Sequence, residues 1–170
     1  TGTNNVGIGY QSLFANTTGG GNTAVGSKAL CSNTTASDNV AVGRDSLRLN
    51  TEGHSNVGIG RNALYDNTTG DQNIAIGCSA LANNTTADGN VAVGHNALAA
   101  HTTGGCNTTV GCNAGGAITT GACNVAIGKA SLANTTTANY NVAVGTHAML
   151  TNSTGNSTTA VGVTALHCQT

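Results

Sequence analysis

The stretch GNTAVGSKAL, Gly21–Leu30, recurs with small changes along the whole chain. Close copies of it are DNVAVGRDSL, QNIAIGCSAL, GNVAVGHNAL and CNVAIGKASL. Each copy has a glycine directly after a Val or Ile, and successive glycines are 17 residues apart. The ten glycines are Gly9, Gly26, Gly43, Gly60, Gly77, Gly94, Gly111, Gly128, Gly145 and Gly162. Ten such periods account for all 170 residues, so the sequence predicts one repeat domain, residues 1–170.

The residues around each glycine predict a short strand. The residue before the glycine is always Val or Ile, the residue three places before it is Val, Ile or Thr, and a small residue separates them. This period-two alternation of β-branched residues is typical of strands. Four places after the glycine comes Leu in eight repeats, with Gly115 and Met149 as exceptions. We expect the β-branched residue before the glycine and this Leu to be buried.

Seventeen residues are too few for two helices but enough for two short strands and two turns. The predicted fold is therefore all-β, a parallel β-solenoid (β-roll) of ten 17-residue coils with two short strands per coil. Coils stacked at the inter-strand spacing of about 4.8 Å would form a rod roughly 48 Å long.

Two further positions recur in every repeat and predict ladders along this rod. Asn occupies the place four before the glycine in nine repeats, and Thr158 occupies it in the tenth. Stacked amides can hydrogen-bond from coil to coil, so we interpret these residues as a structural ladder rather than a binding site. They are Asn5, Asn22, Asn39, Asn56, Asn73, Asn90, Asn107, Asn124 and Asn141. Thr or Ser eight places after the glycine predicts a turn whose hydroxyls satisfy backbone groups.

The composition excludes several classes of function. Aromatic residues make up 2 % of the chain, charged residues 6 %, and the formal net charge is −1. Nucleic acid is an unsuitable partner, because there is no basic stripe to neutralise phosphates. No run of about 18 apolar residues is present, so membrane insertion is not expected.

The stretch VGIGYQSLFANTTG, Val6–Gly19, carries a resemblance to known fibre proteins. The repeat resembles the Asn-Thr-Ala-Ile/Val-Gly repeats of trimeric autotransporter adhesin heads, and it is similar to those of phage-type tail fibres and bacterial surface fibre proteins. Adhesin heads have a shorter period and are followed by a neck, a stalk and an anchor, for which this chain has no counterpart. The resemblance implies an extracellular trimer or filament at a cell or virion surface, but assigns no receptor site to any residue.

The small size of each coil points in the same direction. One β-branched residue and one Leu bury little apolar area for seventeen ordered residues, so a single rod is underfilled. Copies packed side by side or stacked end to end would bury more. Copies of the chain itself are therefore the predicted partners. Covalent glycans or a cell-surface ligand are further predicted partners.

Six cysteines are the most distinctive side chains. Cys106 and Cys123 lie at the same place in adjacent repeats, so stacking would put their Cα atoms about 4.8 Å apart, within disulfide range. They are the candidate disulfide, with free thiols as the alternative. Cys78 and Cys112 share another position but are two repeats apart, and Cys31 and Cys168 have no evident partner. Without a C-x-x-C pair, zinc has little support.

Several Asn-x-Ser/Thr sequons follow from the repeat. The glycosylation candidates are Asn16, Asn33, Asn67, Asn84, Asn134 and Asn152. All except Asn134 belong to one turn series, which we expect to be exposed. The alternative is that these residues are plain turn asparagines, since repetition alone would generate the motif.

No catalytic or cofactor site is predicted. His54, Asp71 and Asp88 occupy one position in three consecutive repeats, and we interpret them as solvated charges rather than as a weak calcium site. No Ser, His and Asp converge, so no enzyme activity, cofactor or metal is expected.

Two functions remain. The first is a structural subunit of an extracellular fibre, self-assembling by stacking or side-by-side packing, glycosylated and adhesive. The second is an ice-binding solenoid. The two Thr positions of the turn are adjacent in sequence, so in an extended strand they would point to opposite faces and could not form one flat array.

Overall fold

The computed structural model describes residues 2–152 and 155–169. It is a parallel β-solenoid with no helix among these residues, as the repeat predicted. The strands are β1 Val6–Ile8, β2 Thr23–Val25, β3 Val40–Val42, β4 Val57–Ile59, β5 Ile74–Ile76, β6 Val91–Val93, β7 Thr108–Val110, β8 Val125–Ile127, β9 Val142–Val144, β10 Thr151–Asn152, β11 Thr159–Val161 and β12 Cys168–Gln169.

Ten of the strands form one continuous sheet, with β1 to β9 in sequence order and β11 beside β9. All neighbours are parallel, and Ala24 is paired with Ala41, which is its equivalent in the next coil. The same offset of 17 residues holds through the sheet up to the pairing of Val144 with Val161. Like residues therefore lie directly above like residues along the axis.

The expectation of two strands in every coil is wrong. Within residues 2–152 and 155–169, a second strand occurs only in the last two coils, where β10 pairs with β12. In the other coils the chain after the glycine is a series of tight turns. Two residues there adopt the left-handed conformation, for example Lys28 with φ 60° and Leu30 with φ 49°. A left-handed residue cannot lie in a strand, and it costs a non-glycine side chain on the order of 1–2 kcal/mol.

The core is also different from the one expected. The central residue of each strand is the one that points inward, and in most coils it is a fully buried Ala such as Ala24, Ala41 or Ala92. The β-branched residues on either side of it point outward, so the expectation that the Val or Ile before the glycine is buried is wrong. Across the core from the strands lie Leu side chains at the fourth place after the glycine. They are fully buried as predicted in the inner coils, for example Leu64 and Leu81, whereas Leu13 and Leu166 in the two end coils are partly buried and exposed, respectively.

The recurring glycine is required by its backbone and by its neighbours. Gly94 has φ 137°, a conformation that L side chains rarely adopt, and a Cβ atom there would lie 2.5 Å from the carbonyl oxygen of Gly111. The same close approach recurs from coil to coil because the glycines stack in a single column. A side chain at this position would force adjacent coils apart.

Candidate interaction surface

Two ladders of amide hydrogen bonds run from coil to coil along the axis. In the first, the backbone N–H of each Asn donates to the Oδ1 of the equivalent Asn in the preceding coil, as between Asn39 and Asn22 at 3.0 Å. This arrangement runs from Asn5 to Thr158, whose N–H donates to Asn141. These side chains are engaged in the fold and are not available as a binding site.

The second ladder lies seven places after the glycine and was not among the sequence-based predictions. Asn67 Nδ2 donates to Asn50 Oδ1 at 2.7 Å, and Asn84 Nδ2 donates to Asn67 Oδ1 at the same distance. Within one coil, amides of both ladders donate to the same carbonyl: Asn56 and Asn67 both donate to Gly70 O, at 2.7 and 2.9 Å. In five coils the carbonyl of Gly19, Ala36, Gly53, Gly70 or Ala87 accepts two such side-chain hydrogen bonds.

This second ladder contains most of the sequons, so their expected exposure is wrong. Asn33, Asn67, Asn84 and Asn152 have no exposed surface. The amides of the first three bond within the ladder, and Asn152 Nδ2 donates to Gly155 O at 2.8 Å. Asn16 is half-buried, and its amide nitrogen donates to Gly19 O. Of the six candidates, only Asn134 is exposed. A glycan on a buried amide is incompatible with the folded coil.

The acidic column is a third ladder. Asp71 Oδ1 accepts a hydrogen bond from the backbone N–H of His54 at 2.6 Å, and Asp88 Oδ1 accepts one from Asp71 N at 2.7 Å. His54 Nδ1 in turn accepts from Ser37 N at 2.9 Å. These side chains lie at the surface but satisfy backbone donors. No cluster of three or more potential metal ligands occurs within residues 2–152 and 155–169.

The threonines eight places after the glycine are engaged in the same manner. Thr68 Oγ1 donates to Thr85 O at 3.0 Å, and Thr34 Oγ1 donates to Thr51 O at 3.1 Å. This confirms the predicted role of these hydroxyls in satisfying the backbone. They are therefore not a free hydroxyl array.

The cysteines are free thiols where the structure describes them: Cys31, Cys78, Cys106, Cys112 and Cys123. Cys106 and Cys123 are both exposed and stand at equivalent places in adjacent coils, so their pairing stays a prediction. Arg61 Nη2 lies 3.7 Å from Cys78 Sγ, and this hydrogen bond, with a weaker one from Ser79, lowers the pKa of the Cys78 thiol. The side chain of Cys168 lies outside the described part of the chain.

The outer face of the ten-stranded sheet, which we call the sheet face, takes no part in these ladders. Each of its ten strands contributes the two residues that flank the inward one, and every one of these is Val, Ile or Thr. They are partly or fully exposed; Ile59 and Ile76 are each 38 % exposed, for example. No charged side chain interrupts the sheet face from β1 to β11.

The described residues contain no helix long and apolar enough to cross a membrane. Comparisons with protein-family models, with curated proteins and with solved structures find no match to this chain. What the coordinates establish is a parallel β-solenoid with 17-residue coils, a fold compatible with repeat-type fibre proteins.

Proposed function

We propose that this chain is a structural subunit of an extracellular fibre, and that copies associate side by side through the sheet face. The observation that carries the proposal is the uninterrupted run of outward β-branched residues on ten parallel strands. The resemblance of the repeat to surface and tail fibre proteins supports a location at a cell or virion surface and an adhesive role.

The area of the sheet face favours association. If each of its side chains exposes roughly 50 Å², the face presents on the order of 1,000 Å² of largely apolar surface. Typical monomers have a largest apolar patch of only about 300–600 Å². Two copies that covered each other's sheet faces would bury roughly 2,000 Å² in total, which is within the range of stable interfaces.

A second copy of the chain fits this surface for geometric reasons. Side chains on the sheet face repeat at the inter-strand spacing of about 4.8 Å, and another copy has the same spacing. Val and Ile from facing sheets can therefore interdigitate along the whole rod, as in steric zippers. No ionised group has to be desolvated on either side.

The free edges of β1 and β11 supply a second mode of contact. A further coil placed on either edge would continue the same parallel hydrogen bonding and the same amide ladder. Stacking of this kind would lengthen the fibre, whereas side-by-side association through the sheet face would increase its thickness.

Replacing two central residues of the sheet face tests the proposal. Ile59→Lys/Ile76→Lys puts charges in the middle of the face without touching the core, and Thr69→Lys/Thr86→Lys is the matched control on an exposed turn. Light scattering after gel filtration should give a dimer or larger assembly for the wild type and the control, and a monomer for the Ile59→Lys/Ile76→Lys variant. A wild-type monomer at micromolar concentrations would overturn the proposal.

Ice binding is the second candidate, because the sheet face is a regular array of β-branched side chains without charges. It is less favoured, since hydroxyls occur there only at Thr23, Thr108 and Thr159. Thermal hysteresis of the purified protein distinguishes the two functions. Hysteresis that is lost in Ile59→Lys/Ile76→Lys would support ice binding, and its absence in the wild type would exclude it.

A further inference from the structure

A groove of about 350 Å³ lies on the flank of the solenoid away from the sheet face. It is lined by Asn62, Tyr65, Ser79, Ala82, Asn83 and Ala99. These residues belong to the turn segment, which the buried Ala and Leu side chains separate from the strands. The groove would therefore remain open in a fibre assembled through the sheet face.

An aromatic ring and two methyl groups are among the side chains that line the groove. Tyr65 and the two alanines, Ala82 and Ala99, are equivalent residues of three successive coils. The tyrosine ring therefore precedes two methyl groups in the same column, and the side chains of this column become much smaller after Tyr65. A ligand with an apolar face can lie on the alanines and contact the ring.

The tyrosine is held in place from its other side. The guanidinium of Arg48, from the preceding coil, lies 5.5 Å from the ring centroid, and its Nη1 donates to the Tyr65 hydroxyl at 2.7 Å. Asp45 anchors this arginine through an ion pair of 3.6 Å. With one face covered by Arg48, the ring is pre-organised to present its opposite face to the groove, which reduces the entropy lost on binding.

The rim of the groove supplies neutral hydrogen-bonding groups. Asn62 and Asn83 each carry an amide with donor and acceptor capacity, and neither amide is part of the ladders that close the coils. No ionised side chain lines the groove. This set of groups suits a neutral ligand with several hydroxyls and rules out a site built for anions.

Backbone pairing argues against a peptide strand in the groove. Asp66 N donates to Ala82 O at 2.9 Å and Asn83 N donates to Ala99 O at 3.3 Å, so these main-chain groups are already used between coils. An extended peptide would find no free strand edge to pair with.

We propose that this groove binds a neutral pyranose ring, with one face of the sugar against Tyr65 and the alanines and its hydroxyls on Asn62 and Asn83. A pyranose combines an apolar face with a rim of hydroxyls, which is the pattern that the groove complements. The proposal does not depend on the sheet face or on assembly.

Saturation-transfer NMR with cellobiose and with N,N′-diacetylchitobiose, followed by calorimetric titration, tests the proposal on the intact chain. We expect transfer to the ring protons of at least one disaccharide, with millimolar affinity. Tyr65→Ala should weaken binding at least tenfold, while Tyr140→Ala, which removes an exposed tyrosine outside the groove, should leave it unchanged.

A second pair of variants guards against loss of fold. Asn83→Ala should weaken binding about fivefold, and Asn134→Ala, at the equivalent exposed place three coils away, should not. No transfer to either disaccharide overturns the proposal. Equal binding by the Tyr65→Ala and Tyr140→Ala proteins does so too.

Discussion

The Nδ1 atom of His101 and the Oδ1 atom of Asn84 are both buried and both lack a hydrogen-bond partner, although the two residues occupy equivalent places in successive coils. His101 replaces an Asn of the second ladder. Its Nε2 atom donates to Gly104 O, as the amide nitrogen does in other coils, so Nδ1 carries no proton. Two acceptors are therefore left unsatisfied where the second ladder, which runs from Asn16 to Asn84, ends.

His101→Asn should stabilise the protein, because an amide at this place can donate both to Gly104 O and to Asn84 Oδ1. We expect the free energy of unfolding to rise by about 1–2 kcal/mol, the typical cost of an unsatisfied buried group. Chemical denaturation of the variant and the wild type measures the difference. An unchanged or lower stability would contradict this account of the ladder.

The same histidine predicts a dependence of stability on pH. Burial lowers the pKa of His101 below its usual 6.5, and the Gly104 and Ile118 carbonyls only partly oppose this shift. The neutral form is therefore favoured by folding, and its contribution to stability is fully present above pH 6.5. As the pH falls below 6.5, the unfolded chain takes up a proton first, and stability decreases by up to about 1.4 kcal/mol per pH unit.

Measured from pH 7.5 to 5, the stability of the wild type should fall relative to that of His101→Asn. Taking the difference removes the contributions of other titrating groups. Parallel curves for the two proteins would show that His101 does not titrate differently on folding.

The seventh coil, which contains Gly111, has different core residues from the other coils, and we expect them to compensate for one another in packing. The Leu position is taken by Gly115, and Ile118 replaces the ladder Asn; a Cβ on Gly115 would lie 3.0 Å from Ile118 Cδ1 and 3.0 Å from Thr109 Cγ2. Ile118 and Thr109 thus fill the space that Leu fills elsewhere. Gly115→Leu alone should destabilise the chain by about 1–3 kcal/mol through overpacking.

Thr109→Ala/Gly115→Leu/Ile118→Asn restores the pattern of the other coils and should recover most of that loss. The stabilities of the single and combined variants, compared as a thermodynamic cycle, test the compensation. Additive effects would indicate that the three positions do not share one space.

Gly94→Ala should be far more damaging than Gly162→Ala. Both glycines have φ near 130°, but only Gly94 faces a following coil at 2.5 Å, whereas the nearest atom to a Cβ on Gly162 is Ala165 Cβ at 3.8 Å. We expect a loss above about 4 kcal/mol for Gly94→Ala and on the order of 1–2 kcal/mol, the backbone strain alone, for Gly162→Ala. Thermal unfolding followed by circular dichroism gives both values.

Oxidation should link Cys106 to Cys123. Their Cα atoms are separated by one coil, about 4.8 Å, and the bond would close a loop that stabilises the folded state by about 3 kcal/mol. Peptide mapping after air oxidation, with Cys106→Ser as the control, detects the link. Recovery of both residues as free thiols would exclude it.

The 17-residue period was enough to predict the parallel register, because each strand can pair only with its own copy in the next coil. The inward face of the strand was not predicted correctly, since alternation defines two faces without saying which one is buried. The informative residue was Ala92 and its equivalents: a coil this thin has room for a methyl group between the strand and Leu98, but not for two β-branched side chains.

Burial of the sequons could have been anticipated from Asn50, which has no sequon yet recurs in the same column as Asn33 and Asn67. An asparagine that recurs in the column even where no glycosylation motif is present indicates a structural role for that position. The left-handed conformation of the leucines could not be anticipated, because Leu has no preference for it; close packing of the coils imposes it. The groove beside Tyr65 could not be predicted from the sequence either, because it depends on which columns of side chains lie next to each other in the folded coil.

The carbonyl that accepts two amides in each of the first five coils affects how such a molecule can evolve. Because each of these coils is closed by groups of its own, one such unit can be duplicated or deleted without altering the closure of the units above and below it. Length then becomes a quantity that recombination can adjust in steps of about 4.8 Å. A longer or shorter rod could therefore evolve by a change in the number of repeats, without any new substitution.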